Sequence, residues 1–242
     1  MFSFSKSVKT FPTLVNQTKY DSPDIYNQLI RDSFNKCYLC GEDQGDVRSE
    51  RVEHFTPHED GRHIELKYDW NNLLFSCDHC NNRKSSTYNK LGENKDILNP
   101  TKDDIENEII HFYNTEILGE SIVNLSSTTN SEKSLNTIEL LDKIYNEDLK
   151  NNKDFAKANK CRTLKKNIIK EIFDFRKQIM ICNTTEKGSY QESEIIEKIK
   201  KHLNKKSNFY EFKLGLIKKN TEIKEFLIER KIISEDFEII EN

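Results

Sequence analysis

Two cysteine pairs of identical spacing, Cys37-x-x-Cys40 and Cys77-x-x-Cys80, stand 36 residues apart in a chain of 242. Zinc takes four soft or borderline ligands in a tetrahedron, and a C-x-x-C turn offers two thiolates to adjacent corners. The two pairs together fill every corner with protein. Such an ion has no open position and is structural, so the spacing predicts a clamp that pins the ends of the intervening segment in place of a large core. The remaining cysteines, Cys161 and Cys182, lie apart in a helical region and read as reduced, partly buried thiols rather than disulfide partners.

Apolar residues make up 35% of the chain and charged residues 33%, a lean core under a heavily charged surface. Aromatics, at 10%, are spread along the whole length and can anchor packing, which separates the sequence from a disordered one. The formal net charge is -3 and neither half is strongly basic, so any contact with a polyanion must be local or supplied partly by a partner. Phe2, Phe4, Phe11 and Leu14 alternate with Ser and Lys and form neither a signal-type apolar run nor a spanning segment. The expectation is a soluble cytoplasmic protein without membrane contact.

Along the chain, residues 1–20 show no period and read as an irregular or strand-like arm. Ser22-Pro23 opens a helix that ends near Asn35. A knuckle follows, then a strand from Val47 to Phe55, a polar loop from Thr56 to Lys67 and a helix opened by Ser76. Residues 108–126 predict a hairpin whose turn contains Gly119. Leu135, Ile138, Leu141 and Ile144 mark one helix, and a longer helical stripe runs from about Asn146 through Ile179. A linker at 183–192 leads to two short helices around Glu194–Leu203 and Glu222–Lys231.

Between the cysteine pairs lie Glu53-His54, Trp70-x-Asn72-Leu73 and, after the last cysteine, Asn81-x-Arg83-Lys84. Phosphodiester hydrolysis needs an activated water, a cation on the scissile phosphate and stabilisation of the leaving oxygen. His54 can act as general base, because a neutral imidazole titrates near working pH. Glu53 and Asn81 offer hard oxygen atoms to a divalent cation, while Asn72 reads as a buried amide that holds the loop and His54 in place. Arg83 and Lys84, with His58 in the neighbouring loop, can face phosphates. His63 and His79 read as solvated. Singly, each residue has a plainer explanation as a surface or turn position; together, inside the cysteine bracket, they point to one site.

Glu53-His54-x-x-Pro57, Trp70-x-Asn72-Leu73 and Cys77-x-x-Cys80-Asn81-x-x-Lys84 resemble the HNH nuclease signature, over residues 37–84. The resemblance implies an α+β fold: a ββα-metal core stapled by a four-cysteine zinc site (Cys37, Cys40, Cys77 and Cys80), here with a mainly helical C-terminal region. It implies His54 as base, Asn72 as the central structural asparagine, and Glu53 with Asn81 as ligands of the catalytic cation. Many members carry His where this chain has Asn81, and the amide oxygen favours Mg²⁺ or Mn²⁺.

A narrower resemblance adds Tyr68-Asp69-Trp70, Ile97-Leu98-Asn99-Pro100 and Thr137-Ile138-x-x-Leu141, and is similar to the PtuB-like HNH subunit of Septu and retron-associated anti-phage systems. It departs at Asn99, where that family has Asp before the proline, and at His58, a position often basic there. It implies a separate ATPase subunit, PtuA-like, and no phosphate-binding glycine loop in this chain replaces one. The expected division is an arm and helix at 1–36, the nuclease unit at 37–100 and a hairpin with a helical partner-docking region at 101–242. DNA is the expected target. RNA or tRNA, or a zinc-ribbon interaction module without catalysis, are the alternatives.

Overall fold

The computed structural model describes residues 1–45, 50–58, 63–114, 122–150 and 155–240. Val47 at the start of the expected strand, and Gly119 and Ser121 in the expected hairpin, lie outside them. Helices α1 (Pro12–Val15) and α2 (Pro23–Asp32) precede the first cysteine pair. Strand β1 (Glu50–His54), helix α3 (Ile64–Lys67), a 3₁₀ turn at Trp70–Asn72, strand β2 (Leu73–Cys77) and helix α4 (Asp78–Lys84) form the bracketed stretch. Then come α5 (Ile105–Glu108), β3 (Ile109–Asn114) and β4 (Ile122–Ser127). Five helices close the chain: α6 (Glu132–Lys150), α7 (Phe155–Thr184), α8 (Tyr190–Leu203), α9 (Tyr210–Lys219) and α10 (Thr221–Glu229).

β1 and β2 pair antiparallel with Glu53 opposite Leu74 and His54 opposite Leu73, and α4 packs on both strands. This is the expected ββα arrangement. The helix begins two residues later than the sequence suggested. Ser76 belongs to β2, whose five residues are all buried, and Asp78 rather than Ser76 supplies the acidic first turn that complements the helix dipole. Ser85, at a positive φ of 47°, ends α4. β3 and β4 form the second sheet, with Ile109 opposite Ser127, on the residues where a hairpin was expected.

Three apolar clusters hold the elements. The first runs from Phe2 and Phe4 through Tyr38, Leu98, Leu141 and Phe212, so it crosses the expected boundary at residue 100 without a break. The second joins the C-terminal half of α7 to α8 and α10 around Phe175, Ile199 and Leu227. The third packs Phe11, Leu14 and Ile25 on Trp70 and on Phe75 of β2, so residues 1–20 contain a short packed helix where an irregular or strand-like arm was expected. Lys6 reaches under it to the carbonyls of Trp70 and Leu73.

Helix α9 has no counterpart in the sequence reading. A Cβ at Gly215 would collide with the carbonyl oxygen of His111 in β3. Its absence lets the helix lie against the second sheet.

Candidate active site and zinc centre

The four sulfur atoms of Cys37, Cys40, Cys77 and Cys80 lie within 4.8 Å of one another, and all four residues are buried. Tetrahedral thiolates at about 2.3 Å from zinc are separated by about 3.8 Å, so the cluster fits that ion. The first knuckle closes through Cys37 N–H to the Glu42 carbonyl (3.0 Å) and Gly41 N–H to the Cys37 carbonyl (2.9 Å), with Gly41 at φ 69°. A side chain at Gly41 would collide with Glu211, which packs on the knuckle from α9. The C-terminal helices hold the knuckle further: Tyr145 donates to the Cys40 carbonyl (3.0 Å), and Lys160 and Asn167 each reach the Glu42 carboxylate at 2.8 Å.

His54 ends β1, where its Nε2–H donates to the Lys67 carbonyl at 3.1 Å. A carbonyl can only accept, so that bond assigns the tautomer and leaves Nδ1 as the acceptor. Tyr20 and His58 each stack edge-on at 4.7 Å between ring centroids. Burial lowers the pKa of His54 to about 4 against the raising pull of the Lys67 carbonyl, which keeps the ring neutral at working pH.

Asn72 is buried and bonded to the backbone of the loop on all its polar atoms. Its Oδ1 accepts from Thr56 N–H (2.7 Å), and its Nδ2 donates to the carbonyls of Thr56 (2.8 Å) and Leu66 (2.9 Å). Leu66 adjoins Lys67, so this buried amide ties the segment after His54 to the carbonyl that fixes the imidazole.

Glu53, His54, His58 and Asn81 border one cleft of about 540 Å³, together with Tyr20, Arg51, Val52, Pro57, Ser85, Ser86 and Lys90. Alternation along β1 turns Glu53 toward α4 and His54 toward Tyr20, and the two meet the cleft at the strand's end. A carboxylate and an amide oxygen beside a neutral imidazole form a hard donor set that fits Mg²⁺ or Mn²⁺. The carboxylate is not free: Lys84 Nζ stands 2.5 Å from Oε1, and Tyr38 donates to Oε2 at 2.9 Å. Burial raises the Glu53 pKa, and the Lys84 ammonium opposes that rise.

Three expected roles are corrected by burial. Lys84 is 1% exposed and spends its ammonium on Glu53 and on the His54 carbonyl (3.0 Å), so it faces the interior rather than phosphate. Arg83 pairs with Glu147 of α6 at 2.5 Å with its side chain 7% exposed, and is removed from the surface in the same way. His79, expected in solvent, donates from Nε2 to the Ile144 carbonyl of α6 at 2.9 Å and is half-buried. Among the described residues, the cations that border the cleft are Arg51 and Lys90. Nothing in their local sequence singled them out.

Residues 37–87 match the model of the HNH endonuclease family. Over 95 residues the chain is 37% identical to the Septu protein PtuB of Bacillus thuringiensis, a match spanning 38% of this chain and 35% of that protein. No solved structure matches the chain. The chain therefore carries an HNH endonuclease domain at 37–87 and is similar to PtuB over part of its length, in a mixed α/β fold whose C-terminal region is helical.

Proposed function

We propose that this chain is a metal-dependent endonuclease that hydrolyses phosphodiester bonds of DNA in the cytoplasm, working with a separate ATPase subunit in anti-phage defence. The observation that carries the reading is the neutral His54, fixed through Nε2, with Nδ1 left to accept in a cleft that it shares with Glu53 and Asn81. The likeness to a Septu protein supports the defence setting and the partner. Among the described residues no helix is long and apolar enough to cross a membrane.

A divalent ion held by Glu53 and Asn81 would supply positive charge at the scissile phosphate and the leaving oxygen. His54 Nδ1 takes the proton of the attacking water, and the Nε2 bond to Lys67 stabilises the imidazolium that results. Asn72 keeps the carbonyl of Lys67 in reach by bonding the neighbouring Leu66 carbonyl and the backbone of Thr56. Arg51, paired with Asp78 at 2.6 Å, and Lys90, paired with Glu93 at 2.6 Å, are the rim cations that would meet the phosphates on either side by exchanging these surface pairs. The sulfur centre holds α4, and with it Asn81, at a fixed distance from β1.

His54→Ala in zinc-loaded protein should lower cleavage by about 10²- to 10⁴-fold, the range for a lost general base. Cleavage at wild-type rate by that variant would remove the mechanism. Labelled duplex DNA, single strands and tRNA incubated in Mg²⁺ test the target. Cleavage of tRNA alone would move the substrate to RNA, and no cleavage together with no second divalent ion beside zinc would favour an interaction module.

A further inference from the structure

Two buried donors hold the Glu53 carboxylate, one from each half of the sulfur cluster. Tyr38, between Cys37 and Cys40, donates to Oε2 at 2.9 Å, and its own backbone N–H bonds the Phe75 carbonyl of β2 at 3.2 Å. Lys84, at the end of the helix that carries Cys80, meets Oε1 at 2.5 Å and the His54 carbonyl at 3.0 Å. Tyr38 is fully buried and Glu53 is 5% exposed, so water offers no replacement for either bond. Both grips originate in elements that the thiolates fix, yet the carboxylate itself borders the cleft.

We propose that Tyr38, acting opposite Lys84, is a positioning residue that transmits the geometry of the zinc centre to Glu53 and pre-orients its carboxylate for the divalent cation. The proposal rests on Glu53 being a donor to that cation. A carboxylate able to rotate must be ordered when the ion arrives, and that ordering weakens binding. A carboxylate already gripped at one oxygen by a phenol and at the other by an ammonium has lost that freedom beforehand. Lys84 also offsets the negative charge, so its removal changes orientation and charge together; Tyr38 changes orientation alone.

Zinc-loaded, full-length protein titrated with Mn²⁺ by calorimetry tests this, with Mn²⁺ paramagnetic resonance as a second readout. Tyr38→Phe should bind Mn²⁺ roughly tenfold more weakly with its zinc content unchanged, since hydrogen-bond partners of metal ligands commonly control affinity by that amount. Tyr145→Phe is the control. It also removes a buried hydroxyl from the same knuckle, one bonded to the Cys40 carbonyl at 3.0 Å, but it leaves Glu53 alone and should bind as wild type. Wild-type Mn²⁺ affinity in Tyr38→Phe, or equal weakening in the two tyrosine variants, overturns the proposal. Glu53→Gln separates the layers: wild-type affinity there defeats the reading of Glu53 as a donor, whereas lost binding in Glu53→Gln beside intact binding in Tyr38→Phe defeats only the role of Tyr38. Should Tyr38→Phe fail to fold, ¹³Cζ-tyrosine spectra of the native protein serve instead. Mg²⁺ should shift the Tyr38 resonance and not that of Tyr145, and an unmoved Tyr38 signal refutes the coupling.

Discussion

The bracketed unit at 37–84 and the distal helical end around α8 and α10 are held by different physics. In the first, a few directed ties fix the geometry: four thiolates, the three bonds of Asn72, and the two grips on Glu53. In the second, Phe175, Ile179, Ile195, Ile199 and Leu227 interlock as an apolar cluster, and the main directed tie beside it is the buried pair of Arg230, after α10, with Glu192 of α8. Directed ties place atoms to within a fraction of an ångström, which a reacting group needs. Apolar interlock tolerates exchange of one hydrophobic side chain for another, which a supporting element can absorb.

Metal removal should give the largest difference between the two. Structural zinc in small domains contributes about 10–16 kcal/mol of apparent binding energy, so a strong chelator, or Cys77→Ser, should abolish hydrogen-exchange protection across β1, β2 and α4. Amides of α8 should stay protected, because its cluster contains none of the four ligands. Equal loss of protection in α8 would show that the two regions unfold as one.

The converse change is smaller. Ile199→Ala opens a cavity in the distal cluster, where Ile199 is fully buried, and should cost about 2–5 kcal/mol of unfolding free energy with zinc content and cleavage rate preserved. Asn72→Ala comes next on the stability scale. It leaves the Thr56 N–H and two carbonyls unpartnered, and should cost about 1–3 kcal/mol. Its effect on cleavage is greater, about a hundredfold, because the Lys67 carbonyl that holds His54 is no longer fixed. A variant that loses stability without losing rate would break the link between this amide and the imidazole.

The same contrast explains what the sequence disclosed. A tetrahedral ion, a tautomer-fixing bond and an amide that ties a loop each require one residue type at one spacing, so Cys37, Cys40, Cys77, Cys80 and Asn72 were readable as a set. Apolar packing leaves only a period. The stripe from Asn146 to Ile179 was read as a single run, whereas α6 ends at Lys150 and α7 begins at Phe155, because both segments place Leu and Ile at compatible intervals. Residues 151–154 between them are outside the described structure. Helix α9 escaped because it is buried on nearly every side and so shows no amphipathic stripe, and because Gly215 serves close packing rather than a turn. The role of Lys84 is hidden for a related reason: position on a helix end says that a cation is present, but not whether a buried carboxylate lies beneath it.

The smallest expected effect concerns the seam between the two regions. His111 lies on β3 in the main cluster, 5.3 Å edge-on from Phe212 of α9, and burial holds its pKa well below the ordinary histidine value of 6.5. In the unfolded chain the same ring takes a proton near pH 6.5, so below that pH the unfolded state binds more protons than the folded one. Stability must therefore fall as pH drops from 6.5 toward 5, by at most about 1.4 kcal/mol per pH unit for this one group. His54 and His79, both lowered to about 4, act with the same sign in that window. His111→Gln should make the slope of unfolding free energy against pH shallower by up to one proton without abolishing it, as measured by urea unfolding at several pH values. Because the second sheet shares its cluster with the sulfur knuckle, the slope should appear in the transition that reports β1 and β2. If it appeared only in the transition of α8 and α10, the seam would belong to the distal helices, and the division drawn between directed ties and apolar interlock would have to move.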